Sequence, residues 1–305
     1  MSLPPEATAH RTAAADSGVI HNIGYRSYQG PRLGRSYATR SLFVQGLRAA
    51  YGLGRSGKSK VLPMLVLGVL GAPALVIVAL AIMQQSKQLP LDYAQYLSAF
   101  SLFIEIFLAA QAPVLMARDL RHHTVPLYFS RPITRSDYVR AKFGAMVAAM
   151  MLLMTVPLVV LYVGSILGGL PFGHNTGHFL YGLVAAALYA VLYSALGLLI
   201  AASTPRRGFG VAAIMGVLVV SSIIAGIVFG LSGGMRAEVP DSAHWASLLS
   251  PSMLVDGLVN QVFGLAGDSR TTHAPGTFGV VVFAAEIAVL VVGSYWLMLS
   301  RYRKI

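Results

Sequence analysis

Six apolar runs, each about as long as the hydrocarbon of a bilayer is thick, decide what this chain can become. They fall at residues 61–83, 94–116, 143–168, 179–202, 209–231 and 277–299. A helix of about 20 apolar residues crosses the ~30 Å hydrocarbon core, so each run qualifies as a span. Four of the six carry no charged residue, whereas Glu105 sits in the second and Glu286 in the sixth. None alternates polar with apolar residues, which excludes the strands of a membrane barrel. Internal prolines (Pro63, Pro73, Pro113, Pro157) are compatible with spans, because neighbouring helices re-satisfy the carbonyls they free. The expected fold is all-α: a polytopic membrane protein with six transmembrane helices. Composition agrees, with 56% apolar residues, 11% charged and a mean hydropathy of +0.67, outside the soluble range.

The remaining charge is one-sided. Twenty of the 23 Lys and Arg residues lie before the first run, in the second or fourth loop, or after the sixth run; Lys87, Arg236 and Arg270 lie opposite. The positive-inside rule then puts both termini in the cytoplasm. Basic residues at an anionic leaflet gain about 1 kcal/mol each. Membrane lipids therefore account for the formal charge of +12, and no aromatic residues are arranged to stack nucleic-acid bases. The absence of cysteine rules out disulfides and thiolate chemistry.

Three regions follow. Residues 1–36 form a polar, basic cytoplasmic segment without a cleavable signal, and Met1–Ser17, rich in Ala, Pro and Thr, is expected to be disordered. Residues 37–60 hold an amphipathic helix and a hinge. Leu42, Phe43, Leu47, Ala50 and Tyr51 share one helical face, with Arg40, Gln45 and Arg48 away from it, the pattern of a helix lying at the inner interface. Residues 61–305 are the transmembrane domain.

Two loops of that domain carry pattern. The cytoplasmic loop, residues 117–142, contains ArgAspLeuArgHisHisThrValProLeuTyrPheSerArgProIleThrArg from Arg118 to Arg135. Leu127, Tyr128 and Phe129 offer apolar knobs, Pro132 stops any helix, and Ser136 or Asp137 is placed to cap the next one. The outer loop, residues 232–276, has two helix-like pieces split at Ser250–Pro251, with Met253, Leu254, Leu258, Val262 and Phe263 along one stripe. Neither piece is long enough to span, so a re-entrant or interfacial hairpin is expected.

This arrangement resembles the type-2 ATP-binding-cassette (ABC) transporter permeases over about residues 37–305. The similarity rests on the six spans, the inward amphipathic helix, the Ser130–Lys142 run and the SerProSerMetLeuValAspGlyLeu hairpin. The His21–Arg35 segment is similar to the leader of actinobacterial members. The resemblance implies a bacterial plasma-membrane permease subunit that works with a separate ABC ATP-binding subunit, which holds the ATP and Mg, and has no cofactor of its own. It implies a second copy or a sister permease as partner, and a coupling helix over 119–131 that docks on the ATPase. Asp119, Thr124, Leu127, Tyr128, Phe129, Arg131 and Arg135 would make that contact. Where the family often has Glu and a pair of small residues, this chain has Asp119 and His122–Thr124.

Two motifs imitate nucleotide sites. Gly52–Ser59 matches G-x-x-x-x-G-K-[ST], which cradles phosphate only between a strand and a helix N-terminus; here an amphipathic helix precedes it. Leu231–Met235 mimics the ABC signature but falls on the outer side and reads as a turn. Glu105 and Glu286 are costly at mid-membrane, about 2.5–3.5 kcal/mol on insertion scales, and with Gln111 they are candidates for a translocation path. Gly164–Gly168 and Gly226–Gly230 are GxxxG pairs at which helices can close-pack. His174 and His178 share a helix face without a carboxylate nearby in sequence, a poor metal site. No nucleophile–base cluster points to an intramembrane enzyme. The Gly/Pro-broken inverted repeats of a stand-alone secondary transporter are not found either.

Overall fold

A computed structural model describes residues 30, 33–54, 56–86, 88–117, 119, 133–204, 206–236, 238–265 and 271–303. From Gly34 on, the described residues form one compact unit. The start expected to be disordered (Met1–Ser17), the His21–Arg35 leader up to Arg32 apart from Gly30, and Thr124, Leu127, Tyr128, Phe129 and Arg131 lie outside the described residues.

Every regular element among the described residues is helical. In chain order these are α1 (Arg35–Ala50), α2 (Lys58–Met83), α3 (Tyr93–Ala99), α4 (Ser101–Leu115), α5 (Arg135–Leu167), α6 (Phe172–Ser203) and α7 (Arg207–Phe229). A hairpin of α8 (Asp241–His244), a 3-10 turn (Trp245–Leu249) and α9 (Pro251–Phe263) then leads to α10 (Gly276–Arg303). Helices α2, α5, α6, α7 and α10 are each long and apolar enough to cross a membrane, and α3 with α4 qualifies as a sixth, broken span, bent by 62°. The bend sits at Phe100 (φ −106°, ψ 16°). No Gly or Pro lies at the bend; just before it Tyr96 donates its hydroxyl to the Leu70 carbonyl on α2, and at the start of α3 Gln95 Oε1 accepts the Asp92 N–H at 3.4 Å.

α5 starts at Arg135 instead of residue 143. Thr134 is its cap, not Ser136 or Asp137. Thr134 Oγ1 accepts the Asp137 N–H at 3.4 Å, and the Asp137 carboxylate accepts the Thr134 N–H at 3.0 Å, which satisfies two orphan donors reciprocally. The amphipathic face of α1 is present as expected: Leu42, Gly46, Ala50 and Tyr51 are buried, while Arg40, Gln45 and Arg48 are exposed. Protein covers that face, because α1 packs on α5 and α4. Gly46 permits the approach, since a Cβ there would lie 2.8 Å from the Ala145 Cβ.

Buried tyrosines tie the spans together, each apolar ring ending in a hydroxyl that finds a partner. Tyr51 donates to the Ala149 carbonyl at 2.8 Å, and Tyr93 meets Ser165 at 3.2 Å. The first glycine pair does close-pack helices: Cβ atoms at Gly164 and Gly168 would each come within 2.7 Å of Val78 and Ile82 on α2. The second does not. Gly226 faces open space, and Gly230 has only its near neighbour Met235 within 4 Å.

The hairpin between α7 and α10 breaks at Ser250–Pro251 as expected. Leu254 and Leu258 are buried and Phe263 stacks on Tyr181, ring centroids 4.3 Å apart, but Val262 is 53% exposed, so Val262 falls outside the predicted stripe. Gly233, at φ 102°, turns the chain within the signature-like Leu231–Met235 segment.

Candidate functional site

The segment that joins α4 to α5 is flanked by polar contacts on both sides, buried at its start and more exposed at its end. At its start, Asp119 is turned inward and is only 5% exposed. Lys142 Nζ lies 2.7 Å from Asp119 Oδ2, and the Tyr138 hydroxyl donates to the same oxygen at 2.9 Å. Tyr138 and Lys142 are one turn apart on α5, so a single helix face presents both donors. The Tyr138 ring packs on Tyr302 of α10, centroids 5.3 Å apart, and the Tyr302 hydroxyl points to the Met116 sulfur at 3.6 Å. At the loop's end, Ile133 is buried. Arg35 of α1 grips the capping pair: Nε lies 2.5 Å from Asp137 Oδ2, and Nη2 reaches Asp137 Oδ1 and Thr134 Oγ1, both at 2.9 Å. The Asp137 hydrogen bond, with the carboxylate charge behind it, raises the Arg35 guanidinium above its ordinary value. Arg135 donates to the Arg303 carbonyl at 3.3 Å.

A second polar cluster lies between the second and fifth spans. A cavity of about 390 Å³ is lined by residues of α3, α4, α7 and α9, including Ser98, Glu105, Ser222, Ser252 and Asp256. Leu102 and Ile223, 48% and 55% exposed, form its apolar rim. Glu105 is 4% exposed, and its Oε1 accepts the Tyr193 hydroxyl at 3.0 Å. Asp256 accepts the Tyr189 hydroxyl at 2.6 Å on Oδ1 and the Ser98 hydroxyl on Oδ2. Ser222, Ser250 and Ser252 share hydrogen bonds of 2.8–3.2 Å among themselves.

The other candidates fall apart from these clusters. Gln111 is buried on α4 but does not line this cavity. Glu286 is half-buried on α10, and no described residue gives it a hydrogen bond or ion pair. His174 and His178 lie in the first turns of α6, rings 4.0 Å apart. Contrary to the reading from sequence spacing, His178 has a carboxylate partner, Asp92 at 3.1 Å. No group of three His, Asp or Glu suited to a metal gathers among the described residues. Gly52–Ser59 connects α1 to α2 with no strand before it. Gly52 (φ 66°) folds that connection against the first turn of α2, where its Cβ would meet the Ser59 carbonyl oxygen at 2.5 Å.

Sequence reasoning singled out Glu105 and Asp119 but missed Arg35, Tyr138, Lys142, Tyr189, Tyr193 and Asp256. The tyrosines sit in apolar runs where a phenol passes for filler. Their i, i+4 spacing (Tyr189 with Tyr193, Tyr138 with Lys142) was the available signal.

The family model described as ABC-2 family transporter protein matches residues 69–299. No curated protein matches the chain.

Proposed function

The chain belongs to the ABC-2 transporter family, and within it we propose that it is the permease subunit of an exporter driven by a separate ATP-binding subunit. It is a transport membrane subunit and a multi-pass plasma-membrane protein. Its cargo on this reading is lipid-like, drug-like or otherwise amphipathic. Both termini face the cytoplasm, where the ATP-binding subunit would hold ATP and Mg. Two copies, or one copy with a sister permease, would meet so that the second and fifth spans line a shared path.

The observation that carries the coupling role is the double anchorage of the 117–142 loop. ATP-driven motion outside the membrane moves a bundle only through a contact that bears force. Asp119, paired with Lys142 and Tyr138, would hold the root of such a lever instead of touching the partner. Thr134 and Asp137, held by Arg35, would fix its far end. Between them, Leu127, Tyr128 and Phe129 would fill a cleft in the ATPase, since aromatic anchors dominate interfaces. Thr124, Arg131 and Arg135 would add polar contacts that set register and on-rate.

The test is co-purification of the full chain with its ATP-binding subunit from membranes. Tyr128→Ala with Phe129→Ala is expected to leave insertion and folding intact while ATPase capture and stimulated turnover are lost. Wild-type transport by that double variant would move the lever to Arg40–Tyr51. A second outcome concerns the phosphate-loop mimic. Lys58→Ala is expected to leave ATP hydrolysis and transport by the assembled complex unchanged, because the nucleotide belongs to the partner. Complete loss of ATPase in an assembled Lys58→Ala complex would overturn that assignment.

A further inference from the structure

The cavity between α4, α7 and α9 has a chemical bias that the permease reading does not require. Its described lining carries two carboxylates, Glu105 and Asp256, and no Lys, Arg or His. The two acids are not equally satisfied. Both oxygens of Asp256 accept hydroxyl donors, from Tyr189 and Ser98. Glu105 has a donor on Oε1 alone, from Tyr193; no hydrogen bond from a described residue reaches Oε2. The side chain is 4% exposed and lines the cavity. Oε2 is not among the described side-chain atoms that are both fully buried and unpartnered, so it keeps some accessible surface, and a carboxylate within a span carries an insertion cost of its own. The hydroxyls of Ser222, Ser250 and Ser252 do not relieve it, because they are engaged with one another. A purely structural carboxylate would be expected to have both oxygens satisfied, as Asp256 does.

We infer that this cavity receives the cationic end of an amphipathic organic substrate, with Glu105 Oε2 as its principal counter-charge and Leu102 and Ile223 against its apolar part. The inference rests on the proposed path between the second and fifth spans and names the substrate class that path selects. Charge decides among the alternatives. An anionic headgroup would meet two carboxylates and no compensating cation, and like charges repel strongly at low dielectric. A neutral lipid tail would gain nothing from either acid. A small divalent metal needs several oxygen or nitrogen ligands, and no group of three His, Asp or Glu suited to one gathers among the described residues. An organic cation needs one or two anionic partners, a cavity of a few hundred cubic ångströms and an apolar rim. The 390 Å³ cavity supplies all three.

Two ions of nearly equal size and opposite charge test this: tetraphenylphosphonium and tetraphenylborate. Binding of each is measured on the purified full chain in lipid nanodiscs, with empty nanodiscs as the reference for partition into lipid. The cation is expected to bind saturably above that reference and the anion not at all. Glu105→Gln keeps an acceptor for Tyr193 but removes the charge, and is expected to weaken cation binding about tenfold or more, as loss of a charged partner does. Glu105→Asp is expected to retain most of it. If Glu105→Gln proves unstable, Val219→Trp, which fills the cavity from α7, serves in its place and is expected to abolish saturable binding. Equal binding of the two ions, or cation binding indifferent to both Glu105→Gln and Val219→Trp, would overturn the inference. An ATP-binding subunit that co-purifies while the cation fails to bind would leave the permease reading intact and reject the substrate class alone. The converse pair of results would reject the permease reading and keep the cation site.

Discussion

Lys142→Met is expected to destabilise the protein by about 3–5 kcal/mol, the usual cost of removing one partner of a buried ion pair. Both side chains are at least nine-tenths buried, and the Nζ–Oδ2 distance is 2.7 Å. Without the ammonium, Asp119 keeps the Tyr138 hydroxyl but loses the Lys142 charge, and the start of the α4–α5 segment is held less firmly. A thermal-unfolding midpoint measured in detergent or nanodiscs should fall by several degrees, and capture of the ATP-binding subunit should fall with it. The double variant Lys142→Met with Asp119→Leu is the sharper measurement. Replacing both partners with apolar groups is often nearly neutral, so the midpoint should recover. If the root matters for coupling as well as stability, turnover should stay low in the double variant. A single Lys142→Met variant with the wild-type midpoint would mean that this pair is not what anchors the loop.

The spans were legible because a bilayer imposes a length: a helix crossing hydrocarbon writes some twenty apolar residues in a row, and little else does. Their ends were less so. α5 begins two turns before its apolar run, because Thr134 and Asp137 close a cap among residues that read as loop. The break at Phe100 left no mark in the sequence, having no Gly or Pro beside it, and the nearby Tyr96 hydroxyl is tied to Leu70, a contact 26 residues away. The glycine pairs make the same point from the other side. Gly164 and Gly168 meet α2, whereas Gly226 meets nothing; the motif gives a helix the capacity to approach, and only the fold supplies a neighbour. At the candidate sites, Glu105 stood out as a charge in an apolar run. Its partner Tyr193 lies 88 residues on, and Asp256 sat in the hairpin with no reason to be joined to it. Periodicity reports which face a residue is on. It does not report which other helix that face will meet.

That distinction sets the outcome expected at Gly46. α1 looked from its sequence like a helix resting on lipid, and a lipid-facing glycine tolerates a larger side chain. In the fold Gly46 is buried, and a Cβ at this position already lies 2.8 Å from the Ala145 Cβ on α5, closer than packed carbon atoms approach. Gly46→Leu therefore has to push α1 off α5. Overpacking of this kind costs about 1–3 kcal/mol, and more is lost if the displacement also breaks the Tyr51–Ala149 hydrogen bond and the grip of Arg35 on Asp137. Those contacts flank Gly46 along α1, so they would loosen together. The expected result in membranes is new tryptic cleavage after Arg40 and Arg48, which are exposed but held in helix in the wild type. Stimulated turnover should drop as well, because Arg35 no longer fixes the far end of the loop. Gln45→Leu, one residue away on the exposed face, is the control and should leave the tryptic pattern unchanged. Were Gly46→Leu to digest like the wild type and keep its midpoint, α1 would be held by lipid and not by α5, and the anchorage of the loop's far end would have to come from Thr134 and Asp137 alone.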